Sequence, residues 1–288
     1  MNRVFHLHLV SDSTGETTYS LARACLVQFE NIQVNTQTHS QVLNQAKLHK
    51  VIATIEASPG AVMYTMINKS LSATLAAECA RIGVPCIDVL DGVISRLQSY
   101  FGQGIRGQPG RQHQLDDQYF HRIDAMQFAL SHDDGQGYDH LYEAEIVLVG
   151  VSRTSKTPTS LYLANHRGIK AANVPFVPGV ALPKVLFGPE APFVVGLTTS
   201  PERLVQIRRQ RMRMLGQNED TDYVDIARVR QEIVEARKLF ARMRWPVIDV
   251  TRRSIEETAS EIIELYAVDR EARLAPLASP PSGAASGP

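Results

Sequence analysis

Net charge is the first thing this chain lacks: 30 Lys and Arg are balanced by 30 Asp and Glu. An even balance offers no broad basic surface, so neither a nucleic acid nor an anionic membrane is expected as a partner. Cysteine is scarce as well. Cys25, Cys79 and Cys86 are odd in number, and their spacings match no metal or redox motif. They argue for a reducing compartment in which the thiols pack as small apolar groups. No apolar stretch approaches the roughly 20 residues needed to span a bilayer. The opening MNRVFHLHLVSDSTGE turns polar too soon for a secretory signal, and the expected location is cytoplasmic. Nor is there an internal repeat, although both halves begin with a strand, a polar loop and a helix.

What is present is an alternation of apolar β-type runs with helical patterns, the mark of an α/β protein. Strands are predicted at Val4–Val10, Ile32–Thr38, Ala61–Ile67 and Val84–Val89. Helices over Glu16–Glu30, Gln41–Ala57, Ser70–Ile82 and Asp91–Phe101 fall between and after them. Residues 1–108 read as an N-terminal α/β domain closed by the Gly-rich loop Gly102–Gln112. Residues 109–140 read as a connection whose helix, Leu115–Ser131, joins the halves. Residues 141–273 read as a second domain with a mostly parallel sheet, its strands at Ile146–Gly150, Ala172–Val177, Phe193–Leu197 and Val247–Val250. Helices are expected there from the Lys156 region to His166, and at Pro201–Leu215, Tyr223–Arg242 and Ile255–Tyr266. The Pro-, Ala- and Gly-rich residues 274–288 suit a disordered tail.

The most specific motif is GVSRTSKT, Gly150–Thr157, between a buried strand and a helix. It matches the phosphate-binding P-loop spacing G-x-x-x-x-G-K-[ST] at its first, seventh and eighth positions. Such a loop turns backbone N–H groups onto phosphate oxygens at a helix N-terminus, where partial positive charge favours anions. Gly150 lets the chain turn closely, Lys156 contacts the terminal phosphates, and the Thr157 hydroxyl ligates Mg²⁺. Val151, Ser152, Arg153, Thr154 and Ser155 complete the loop, with Arg153 as a further phosphate contact. Ser155 stands where the second Gly normally sits, and would be strained if that position needs positive φ.

Other groups are less specific. Ser11, Asp12, Ser13, Thr14 and Gly15 in SDSTGET form a second strand–loop–helix junction, readable as a ligand-binding loop or as a capping box from Ser13 to Glu16. Asp133 and Asp134 in His132–Gly135 could hold Mg²⁺ or accept a proton, or could simply form a turn. The arginine-rich helix around Arg203–Arg213 suits a solvated face, from which one arginine could reach a phosphate. His6 and His8 share a strand face without a third metal ligand in view. Trp245 reads as packing.

SDSTGET, HDDG, GVSRTSKTPTSLYLA and GLTTSPERL occur in this order and together resemble the regulatory proteins of pyruvate, phosphate dikinase and of phosphoenolpyruvate synthetase. The resemblance runs from Val4 to about Val268. It implies a bifunctional serine/threonine kinase and phosphorylase that uses ADP to phosphorylate an active-site threonine of its target. It also implies reactivation by inorganic phosphate with release of pyrophosphate. By matching motif, Gly150–Thr157 would hold ADP, Lys156 would meet the transferring group, and Asp134, beside Asp133, would activate the threonine hydroxyl. SDSTGET would then hold the target or a second phosphate. The stretch KAANVPFVPG, Lys170–Gly179, favours the dikinase over the synthetase as target. A homodimer stays open, as does a P-loop kinase for a small metabolite.

Overall fold

The computed structural model describes residues 4–104, 117–188, 190–216 and 221–274. The expected Gly-rich loop lies mostly, and the expected tail almost wholly, outside these residues. The chain divides into two compact units, Met1–Gln114 and Leu115–Pro288.

In the first unit β1 (Val4–Ser11), α1 (Glu16–Leu26), β2 (Gln33–His39), α2 (Gln45–Ala57), β3 (Ala61–Thr65), α3 (Lys69–Ile82), β4 (Cys86–Asp88) and α4 (Asp91–Phe101) follow one another. All pairings are parallel, and the strand order is β2-β1-β3-β4. Parallel neighbours require crossovers, and α1, α2 and α3 supply them between successive strands. Val10, Val62 and Tyr64 pack with Leu48, Ile55 and Leu75 on one side. Leu7, Leu9 and Met63 meet Ala22 on the other.

The second unit runs α5 (Asp117–Ser131), β5 (Ile146–Gly150), α6 (Lys156–Arg167), β6 (Ala171–Pro175), β7 (Phe193–Thr198), α7 (Pro201–Met214), α8 (Ile226–Met243), β8 (Val247–Asp249) and α9 (Ile255–Leu274). Its sheet is again all parallel, in the order β6-β5-β7-β8. Every residue of β5 is buried, which is why its sequence is an unbroken apolar run. Val147 and Val149 face a core completed by Val205, Ile233 and Phe240. Ile146 and Leu148 face one completed by Leu163, Ala259 and Ile262. The two units thus repeat one strand order without repeating a sequence. In each, the first strand is central, and the loop after it leaves at the point where successive connections diverge to opposite sides. Open parallel sheets bind ligands outside the carboxyl ends of their strands at such a point.

Local chemistry moves several boundaries. α2 starts at Gln45 because the Asn44 side chain accepts from the Lys47 N–H at 2.9 Å, while Gln41 sits at φ 57° outside the helix. The helix expected from Tyr223 is divided: Asp222–Val224 form a 3-10 turn, and the Asp225 carboxylate caps α8. Ser13 does not cap α1. Its N-cap is Gly15 at φ 85°, with no side-chain hydrogen bond, so the expected capping box does not form. α5 packs on α6 and β6 within the second unit. Of the cysteines, Cys79 is buried, Cys86 half-buried and Cys25 exposed, so Cys25 is not a packed thiol.

Candidate functional site

Gly150 is the last residue of β5, in register with Leu197 of β7 and Pro175 of β6. A Cβ there would lie 2.6 Å from both the Leu197 carbonyl oxygen and Thr154 Oγ1, so only glycine fits. The chain then folds back on itself. Thr154 is fully buried and donates its hydroxyl to the Val151 carbonyl at 2.9 Å. Arg153 and Ser155 both take positive φ, 76° and 60°. Left-handed residues in such a loop turn consecutive N–H groups toward one concavity, a form suited to anions. Ser155 is the N-cap of α6 yet makes no side-chain capping bond, so capping is not its role. Its left-handed backbone is the strain expected of a serine at a glycine position, of order 1 kcal/mol.

Lys156 opens α6 and is only 4% exposed. Its Nζ donates to the Val151 carbonyl at 3.1 Å, so the ammonium lies beneath the loop. Burial pushes its pKa down to about 8, while Asp134 and Asp133 oppose that fall and Arg153 and Arg208 add to it. A buried cation that burial itself disfavours is a costly structural element.

The two acidic residues sit at the rim of this unit's site in different ways. Asp133 is half-buried, and its Oδ1 accepts the Thr157 hydroxyl at 2.8 Å and the Asn173 side-chain amide. Asn173 Nδ2 also donates to Thr157 Oγ1 at 2.8 Å. Asp134, by contrast, is exposed at φ 48°, in the tip of the turn. The preceding His132 is buried, stacks on Phe128 at 3.9 Å, and donates from Nδ1 to the Phe128 carbonyl at 2.9 Å. HDDG is therefore both a turn and a means of bringing carboxylates to the loop.

One arginine of the basic helix does not lie on a solvated face. Arg208 is 1% exposed. It reaches Glu232 at 2.7 Å, the Tyr223 carbonyl at 3.0 Å and the Ser152 carbonyl at 3.3 Å. Its guanidinium carbon lies 4.3 Å from the Tyr223 ring centroid, and Tyr223 Oη lies 3.1 Å from Ser152 Oγ. The loop is thus clasped from outside by α7 and α8. Ser200 and Pro201 start α7 as N-cap and N1, as their order predicts.

In the first unit, Ser11 and Asp12 point inward. Asp12 accepts the Ile67 N–H at 2.6 Å, and Ser11 Oγ accepts from Thr65 Oγ1 at 3.0 Å and from the Ser13 N–H at 3.1 Å. Ser13 is half-buried, Thr14 exposed, and Gly15 caps α1. His8 Nδ1 meets His39 Nε2 at 3.3 Å, and its Nε2 bonds the Ser58 carbonyl at 2.8 Å. Among the described residues no three His, Cys, Asp or Glu side chains are grouped to hold a metal. No described helix is long and apolar enough to cross a membrane. Trp245 packs between Phe187 and Phe240.

Fold and site define a two-unit parallel α/β protein with a strand–loop–helix junction over a buried lysine. The chain belongs to the kinase/pyrophosphorylase family, which it matches over residues 7–263. It is 53% identical to a pyruvate, phosphate dikinase regulatory protein of Paramagnetospirillum magneticum, over 91% of this chain and 84% of that one. Proteins of the same name from Maricaulis maris and Erythrobacter litoralis are 50% and 49% identical. Those alignments cover 91% and 96% of this chain, and 93% and 98% of theirs.

Proposed function

We propose that the chain regulates pyruvate, phosphate dikinase by transferring a phosphoryl group from ADP to a threonine of that enzyme, and by removing it with inorganic phosphate. The observation that carries this reading is the buried Lys156 beneath a loop whose Arg153 and Ser155 take positive φ, with Asp133 and Thr157 bonded at its rim. The family supports transferase chemistry, and the relatives' names support the dikinase over the synthetase.

Gly150–Thr157 acts as a P-loop in this scheme, and Lys156 neutralises charge on the terminal phosphate of ADP. The target's threonine oxygen attacks that phosphorus in line, and the bond to the bridging oxygen breaks, so AMP leaves. The hydroxyl proton passes to Asp134, which is exposed where a protein substrate arrives, whereas Asp133 is already engaged by Thr157 and Asn173. In the opposite sense, an oxygen of inorganic phosphate attacks the phosphothreonine phosphorus. Pyrophosphate forms, and Asp134 returns a proton to the threonine oxygen. The hydroxyl of Thr157 and the carboxylate of Asp133 are the hard oxygen donors that suit Mg²⁺. When bound, Mg²⁺ would offset phosphate charge. The Ser13–Gly15 loop is the proposed contact for the target or the second phosphate.

Incubating the chain with purified dikinase, ADP and phosphoenolpyruvate tests the proposal, with the synthetase in parallel. A phosphothreonine on the dikinase, removed by phosphate with pyrophosphate release, is the expected result. Turnover of nucleotide with no protein acceptor would instead mark a small-molecule kinase. Modification of neither enzyme sinks the reading.

A further inference from the structure

We propose that Asn173 is the positioning residue that fixes Asp133 and Thr157 as one half of a divalent-cation site, the nucleotide's phosphates forming the other half. The inference rests on the nucleotide-binding reading of the Gly150–Thr157 loop.

Asn173 lies in the middle of β6, opposite Leu148 of the strand that leads into the loop, and is 1% exposed. An amide in a strand otherwise made of Ala, Val and Pro is unusual, so its bonds need accounting. Its Nδ2 carries two hydrogens. One goes to Asp133 Oδ1, the other to Thr157 Oγ1 at 2.8 Å. Reversing the amide would set its oxygen against the Asp133 carboxylate, so charge dictates this orientation. Its main chain holds the same turn from both sides: the Asn173 N–H donates to the His132 carbonyl at 3.0 Å, and its carbonyl accepts the Gly135 N–H at 3.2 Å. One residue of the sheet therefore clips the acidic turn by three bonds, side chain and backbone together, and ties it to Thr157 of α6 by a fourth.

The hydroxyl of Thr157 has one proton and two lone pairs. The proton goes to Asp133 at 2.8 Å, and one lone pair receives Asn173. One lone pair remains. Asp133 takes both of these bonds on Oδ1, which leaves its second oxygen outside the cluster. Asn173 Oδ1 is buried with no hydrogen-bond partner. An orphaned buried acceptor costs about 1–3 kcal/mol, a penalty that a cation or its bound water would relieve. Hydroxyl, carboxylate and amide oxygens are the donors that hard divalent ions accept, and such ions are commonly held by one or two carboxylates plus substrate phosphates. Without Asn173 the Asp133–Thr157 bond can still form, but nothing sets its direction, and a misplacement of about 1 Å at a reacting centre costs on the order of a hundredfold.

The test uses the full chain with Mn²⁺ as a paramagnetic probe. Wild type, Asn173→Ala and Asn173→Leu are compared for metal-free ADP affinity, Mn²⁺ affinity with ADP present, and the kcat and KM of target phosphorylation. Leucine keeps the side-chain volume, so it carries the test if the alanine variant does not fold. ADP affinity without metal should stay within about twofold, because Lys156 and the loop backbone from Gly150 to Ser155 keep their own bonds. Mn²⁺ affinity should fall about tenfold or more, the usual effect of removing a group that orients a metal ligand. kcat should fall with it while KM for ADP changes little. Unchanged Mn²⁺ affinity in a folded variant overturns the inference and leaves the nucleotide reading standing. Parallel loss of ADP affinity, Mn²⁺ affinity and thermal stability also overturns it, because the role is then merely structural. A wild type that binds no ADP removes the nucleotide reading and this inference together.

Discussion

Lys156 shows how much one residue holds in reserve. With a folded-state pKa of about 8 against an ordinary value near 10.5, it binds fewer protons folded than unfolded between those values. Stability therefore rises with pH through that window, and the full penalty applies below pH 8. The difference corresponds to on the order of 3 kcal/mol. Lys156→Met should accordingly be more stable than wild type at pH 7, and the gap should close by about pH 10.5, as read from urea midpoints at both pH values. A gap that does not depend on pH would contradict this. Lys156, Thr157 and the irregular Ser155 were legible because their chemistry follows from spacing within one short motif. Asn173 was not, because its partners lie on two other elements. The trace it leaves is a single amide inside the otherwise apolar run Ala171–Val174.

At the scale of elements, α7 and α8 stiffen the loop through Arg208. The arginine falls four residues after Leu204, on the helix's buried stripe, beside Val205. That spacing was the available signal, and the surrounding arginines on exposed faces masked it. Removing one partner of a fully buried ion pair costs about 3–5 kcal/mol, and since Glu232 is 24% exposed the cost here falls at the low end of that range. Arg208→Ala should destabilise the second unit by that order in chemical denaturation and weaken ADP binding through the freed Ser152. Arg208→Lys should not rescue it, since an ammonium cannot fork to Glu232 while also reaching the Ser152 and Tyr223 carbonyls. Full rescue by lysine would mean that charge alone matters. The strand–helix alternation was legible because most β runs are apolar; the edge strand β2, QVNTQTH, is the polar exception. The boundaries that moved did so at caps, Asn44 and Asp225, where one side-chain bond decides the first turn.

At the scale of the molecule, each unit carries its own cores, one on each sheet face, and every group proposed to touch ADP lies in the second unit. Residues 115–288 alone should bind ADP with nearly full affinity yet leave the dikinase unmodified, as calorimetry and phosphothreonine mapping would show. Modification by this half would remove any need for the Ser13–Gly15 loop in the reaction. The matching strand orders were not legible, because the units share geometry and not residues: a glycine precedes α1 where a serine precedes α6. The parallel order also sets a timetable for synthesis. In each unit the central strand is made first, yet its neighbours on both sides come only after intervening helices. A growing chain that has emerged only as far as β6 holds Ile146–Gly150 with one edge unpaired until Phe193–Thr198 follows. Pairings this distant along the chain form slowly. For that interval the newborn chain carries a wholly apolar strand with an open edge, the kind of segment that invites pairing with the wrong partner.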